Sequence, residues 1–124
     1  LLSMLGFGRS RRGGSWVQLL ILRILYLTPM HGYRLLGEVN RLMAGRRPMK
    51  TGSLYTILRR MEKAGLLESE WDEEPSKLER RIYRPSKEGV EMLKNGRKRM
   101  EEQKRVLDEM MTFYNEHFRE DLNS

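Results

Sequence analysis

Between residues 45 and 50 the sequence reads Gly-Arg-Arg-Pro-Met-Lys, so Arg46, Arg47 and Lys50 put three cations into one short segment without an acid. From Thr51 onward Leu54, Ile57, Leu58 and Met61 fall at helical spacing. A basic loop at a helix N-terminus favours an anion twice over, through its side-chain charges and through the helix dipole. With the apolar residues inward, the opposite side of this helix carries Gly52, Thr56, Arg59, Arg60 and Lys63, with Tyr55 at its margin. That face is small at its start and cationic later, which suits the major groove of duplex DNA, about 12 Å wide and able to admit one helix. Thr51, Ser53, Tyr55, Thr56 and Arg59 lie close enough to the helix start to meet base edges, and Arg46, Arg47 and Lys50 to meet phosphates. Two plainer accounts stay open. The cluster of Arg59, Arg60 and Lys63 can be an ordinary solvated face, and Tyr55 can be a packed aromatic whose hydroxyl reaches water.

Catalytic constellations are missing. The two histidines, His31 and His117, are far apart and neither sits in a metal-ligand spacing. His31 lies beside Pro29 and reads as structural. There is no cysteine for a thiolate, a disulfide or a zinc site. The acid pairs Glu73-Glu74 and Glu101-Glu102 fall on expected exposed segments, not in a pocket that could shift their pKa values. The glycine-rich GFGRSRRGG at 6–14 lacks the Lys-Ser/Thr of a phosphate-binding loop. The sequence predicts no enzyme, no metal and no cofactor.

Leu66–Trp71 and Arg80–Arg84 read as short strands around the polar, Pro-containing stretch 72–79, a hairpin with a long tip. Asp72, Glu73, Glu74 and Glu79 would repel phosphates there. If the hairpin meets nucleic acid, Lys77, Arg80 and Arg81 should do it, with Tyr83 able to donate a hydrogen bond. Trp71 shares a strand face with Leu67 and reads as hinge packing.

These residues need elements to hold them. The chain has 124 residues, enough for one modest core, and a net charge of +7 that favours an acidic partner. Residues 1–60 hold 11 Lys/Arg against one acid, and residues 61–124 hold 13 against 16. The basic front half is the binding half. Ser15 can cap a nearly all-apolar helix over 16–27, interrupted by Arg23 and too short for the roughly 20 apolar residues of a membrane span. Leu1–Leu5 has no signal-peptide pattern, so the expected compartment is the cytoplasm. A break at 28–32 precedes an amphipathic helix with Leu35, Leu36, Val39, Leu42 and Met43 on one face, ending near Gly45; the basic helix stops at Gly65.

From Ser86 to about Leu122 there is no proline, and Leu93, Met100, Leu107 and Tyr114 recur every seven residues, joined by Met110, Met111 and Phe118. One long helix with a coiled-coil-like seam follows. It would be too long for a single small domain to cover, so the sequence predicts a two-fold homodimer, with Trp16 and Leu20 of the first helix adding surface to the same interface. The expected fold is mainly α with a small β-hairpin: a flexible basic arm over 1–14, a winged helix-turn-helix over 15–85, and a C-terminal dimerisation helix over 86–124.

In order and spacing, HGY at 31–33, GSLYTILRRMEKAGLL at 52–67, Trp71 and RRIYRPSKEG at 80–89 resemble the signature blocks of PadR-type transcriptional regulators. The likeness covers residues 17–95 and points to the smaller subgroup with a single C-terminal helix. It implies that Tyr33, Ser53 and Tyr55 join the DNA surface, that the hairpin is the wing and that the terminal helix pairs subunits. Thr56 stands where many members have Pro. Met100 stands where some drug-sensing members place an aromatic, which argues against flat-ligand stacking at that position. The expected function is therefore that of a homodimeric repressor binding double-stranded DNA at an inverted repeat, with a small hydrophobic effector as the release signal and no membrane partner. The rival readings are a non-specific architectural DNA-binding protein and an interaction module that uses the long helix.

Overall fold

The computed structural model of the chain describes residues 15–44, 47–72 and 81–120. The arm at 1–14, the hairpin tip at 73–80 and the last four residues lie outside them.

Ser15 opens the first helix, α1 (Trp16–Leu27), through a capping box: its hydroxyl accepts from the Gln18 amide at 3.2 Å, and the Gln18 side chain accepts from the Ser15 amide at 3.2 Å. The helix is the centre of the core, with Leu19, Ile21, Leu22, Ile24 and Leu25 all buried. Met30–His31 then forms a two-residue strand, β1, where the sequence suggested only a break. Strands this short carry no periodicity of their own; β1 exists because a partner strand pairs with it. Next come α2 (Gly32–Leu42), α3 (Thr51–Lys63), β2 (Leu67–Trp71), β3 (Arg81–Pro85) and α4 (Lys87–His117). The strands form one antiparallel sheet in the order β1-β3-β2, with Met30 opposite Tyr83 and Ser69 opposite Tyr83 on the other side.

Leu35 and Val39 of α2, Leu54, Leu58 and Met61 of α3, and Leu66 and Leu67 close on α1 to make one apolar core. The end of α3 is fixed by Gly65, whose φ of +81° lies in the left-handed region that favours glycine. The Gly65 amide donates to the Glu62 carbonyl at 3.0 Å and the Leu66 amide to the Met61 carbonyl at 2.9 Å, a Schellman ending. Ser86 ties the last helix to that same turn. Its hydroxyl donates to the Gly65 carbonyl at 2.5 Å and accepts from the Gly89 amide at 3.0 Å.

Two sequence expectations need correction. The last helix stops at His117, not near Leu122, so at 1.5 Å per residue its 31 residues span about 46 Å. Trp71 is not hinge packing. It is 54% exposed, because only Leu67, at the other end of β2, reaches the core. The architecture is mainly helical with a small three-stranded sheet and a long C-terminal helix, a winged helix-turn-helix with α4 appended.

Candidate nucleic-acid interface

Asn40, in the last turn of α2, sets where α3 begins. Its side-chain amide donates to the Met49 carbonyl at 3.2 Å and its oxygen accepts from the Met49 amide at 2.8 Å. These two bonds hold the chain just ahead of Lys50, the N-cap of α3. Lys50 makes no side-chain capping bond and the first turn holds no acid. The amides of that turn therefore keep their positive end towards solvent, beside the exposed Lys50 and Arg47.

Thr51, Gly52 and Ser53 are exposed on the first turn, and a side chain added at Gly52 would meet nothing among the described residues within 4 Å. Backbone can approach a ligand closely there. Arg59, Arg60 and Lys63 continue the exposed face to the end of the helix, opposite the buried Leu54, Leu58 and Met61. The Thr56 hydroxyl donates to the Gly52 carbonyl at 2.9 Å and accepts from Arg59 at 3.4 Å, so its methyl and the Arg59 guanidinium are arranged together. The only acid of α3, Glu62, is turned to the sheet, where it accepts from the Ser69 hydroxyl at 2.6 Å.

Tyr55 lies between the two readings left open for it. It is half-buried, and its ring packs over Gly32 so closely that a β-carbon there would sit 2.6 Å from the hydroxyl. Gly32 is thus the site at which α3 crosses the start of α2. Tyr33 is exposed next to it and stacks on His31, ring centroids 6.0 Å apart. His31 in turn meets Asp72, which follows the last residue of β2, at 2.8 Å.

The hairpin differs from expectation. Tyr83 is 5% exposed and belongs to the core, not to a DNA-facing surface. Alternation along β3 explains this: Tyr83 lies opposite Ser69 on the inner face with Arg81 and Pro85. Burial first, and then the Glu62 carboxylate, raise its pKa above the ordinary phenol value. Arg81, expected to reach phosphate, is directed inward to Ser69 at 3.1 Å and Glu62 at 3.7 Å. On the outer face Arg84 bridges Glu68 at 3.2 Å and Glu70 at 3.1 Å. Arg46, Lys77 and Arg80 lie outside the described residues.

The seam residues divide into two groups. Trp16, Leu20, Leu93 and Met100 are half-buried and, with Leu19, Arg23, Gly96 and Arg97, line a cavity of about 260 Å³ between α1 and α4. Leu107, Met110, Met111, Tyr114 and Phe118 are exposed along the distal half of α4, Leu107 at 63%. Among the described residues no helix is long and apolar enough to cross a membrane. Sequence patterning does not single out Asn40, Glu62 or Ser69. The one available signal is Asn40, a poor helix former inside a helix.

A model of the PadR-like family of transcriptional regulators matches residues 21–95. No match was found among curated proteins. Among solved structures, a PadR family transcriptional regulator from Eggerthella lenta is 33% identical with a TM-score of 0.58, covering 82% of each chain. A PadR family transcription regulator from Clostridium difficile is 26% identical with a TM-score of 0.65, covering 78% of this chain and 99% of that one. Bacillus subtilis PadR in complex with operator DNA shares the fold at 19% identity and a TM-score of 0.55, covering 62% of this chain and 44% of that one.

Proposed function

The chain belongs to the PadR-like family of transcriptional regulators, and on that premise we propose that it binds double-stranded DNA sequence-specifically as a homodimeric repressor. It is not an enzyme. The observation that carries the reading is the exposed face of α3, open and uncapped at its start beside Lys50, cationic from Arg59 to its end, and with its only acid turned away. In this reading Lys50 and Arg47, with Arg46, Lys77 and Arg80, meet phosphates, and Tyr33, Thr51, Ser53, Tyr55, Thr56, Arg59 and Lys63 meet the groove. The relative solved with operator DNA supports it by analogy of fold.

The homodimer reading rests on the exposed apolar distal half of α4, which continues the stripe formed by Leu93 and Met100. Two-fold symmetry then requires an inverted-repeat operator, with half-site centres about 34–36 Å apart. The cavity between α1 and α4 adjoins that seam, and its mainly apolar lining suits a small hydrophobic effector that releases the repressor.

Fluorescence anisotropy tests the assignment. The protein is titrated against the duplex upstream of its own gene and against random duplex at several salt concentrations. Preference for the first, with steep salt dependence, is expected. Lys50→Ala should weaken both duplexes alike and make the salt slope shallower by about one unit. Equal affinity for both duplexes would leave the architectural reading, and binding to anionic vesicles in place of DNA would overturn the proposal.

A further inference from the structure

Arg81 sits at the first position of β3, paired with Trp71 at the tip side of the ladder, and it is gripped from several sides. Its guanidinium donates to the Ser69 hydroxyl at 3.1 Å, and Ser69 donates in turn to Glu62 at 2.6 Å. The same guanidinium lies 3.7 Å from the Glu62 carboxylate and has its carbon 4.7 Å from the centre of the Trp71 ring. Among the described residues its Nε is buried without a hydrogen-bond partner. A surface arginine placed to capture phosphate would not give up solvent at one donor while aiming another at a carboxylate of its own chain.

We propose that Glu62, Ser69 and Arg81 form a brace fixing the wing against the last turn of α3, and that Arg81 is a positioning residue, not a phosphate contact. The chain of contacts runs from the helix, through β2, to β3. It ties the helix that carries Arg59 and Lys63 to the hairpin that carries Lys77 and Arg80. Trp71 lies against the guanidinium, where an aromatic face attracts a cation. This accounts for an otherwise unused exposed tryptophan. It also accounts for the single acid of α3, which neutralises a cation that would otherwise draw the wing towards the nearest phosphate. The angle between α3 and the wing is thereby set before any ligand arrives, which reduces the ordering that binding would otherwise require.

The proposal rests on the reading that α3 and the hairpin both face DNA, so its test has one arm with DNA and one without. Glu62→Gln, Arg81→Gln and the double variant are titrated against one duplex over a range of salt. Each single change should weaken binding roughly three- to thirtyfold, the double no more than the worse single, because the two groups act as a unit. The salt slope should stay that of the wild type. A phosphate contact gives the opposite pattern: a slope shallower by about one unit for Arg81→Gln, and tighter binding for Glu62→Gln, which removes a negative charge. In the free protein, amide exchange in β2 and β3 should quicken in both single variants while the α1 amides keep their protection. Ser69→Ala, which removes only the middle link, serves where either charge variant melts early. Unchanged strand exchange, tighter binding by Glu62→Gln, or additive losses would each overturn the brace. Failure of the wild type to bind any duplex, with strand exchange still quickened, would overturn the DNA reading and leave the brace intact.

Discussion

One methyl group at position 89 would test how closely α4 is seated. A β-carbon on Gly89 would collide with the Leu66 carbonyl oxygen and come 3.0 Å from a Leu22 methyl, and a backbone carbonyl cannot rotate out of the way. Gly89→Ala should cost about 1–3 kcal/mol in urea unfolding. The control is Gly37→Ala in α2, where no described residue lies within 4 Å of an added β-carbon, and which should stabilise by about 0.5–1 kcal/mol through helix propensity. Tyr83 supplies a pH test. Its folded pKa is raised, so its contribution to stability is complete below the ordinary phenol value of 10.0 and is lost as pH climbs through the higher folded value. Tyr83→Phe should flatten the alkaline fall of the melting temperature, and an unchanged fall would show that another group titrates there. In the sequence, the polar atoms of Tyr83 and Arg81 point to surface groups. Period-two alternation over Arg81–Pro85 already puts both on the face shared with Leu67 and Ser69, but which face turns inward depends on α3 lying across it.

At the scale of elements, the placement of α3 depends on a segment with no regular structure of its own. Asn40→Ala removes both bonds to the Met49 backbone and leaves the Met49 amide and carbonyl to find water. Unfolding should cost about 1–3 kcal/mol less free energy, and duplex affinity should fall further because Lys50 and Thr51 lose their support. Full affinity at unaltered salt slope would mean the loop holds itself. The starts of α1, α3 and α4 are legible in the sequence, since Ser15 and Ser86 are caps and Thr51 follows Pro48-Met49-Lys50. The stop at Gly65 is legible for the same local reason. β1 is not, because a two-residue strand is specified by Ile82 and Tyr83 opposite it rather than by Met30 and His31. The end of α4 is overestimated from sequence: without proline or glycine after Gly96, nothing local marks His117 as a stop.

At the scale of the whole molecule, the described residues of one chain cover only half of α4. Gly96 lets the helix approach Leu19 of α1, whereas Val106, Leu107, Met111 and Tyr114 remain in solvent. Leu107→Arg should give folded monomers or unfolded chains in sedimentation, and a folded dimer of unchanged affinity would remove this seam from the interface. Everything said of function, however, depends on α3 reading sequence, and one comparison decides that. Thr51, Ser53, Tyr55, Thr56 and Arg59 are each replaced by Ala and titrated, at one salt concentration, against a panel of single base-pair variants of an operator located by footprinting the duplex upstream of the protein's own gene. Thr56→Ala and Arg59→Ala should reorder the panel, with losses of roughly 1–3 kcal/mol confined to particular base pairs. If all five variants weaken every duplex by the same factor and leave the order intact, α3 positions the protein without reading the DNA.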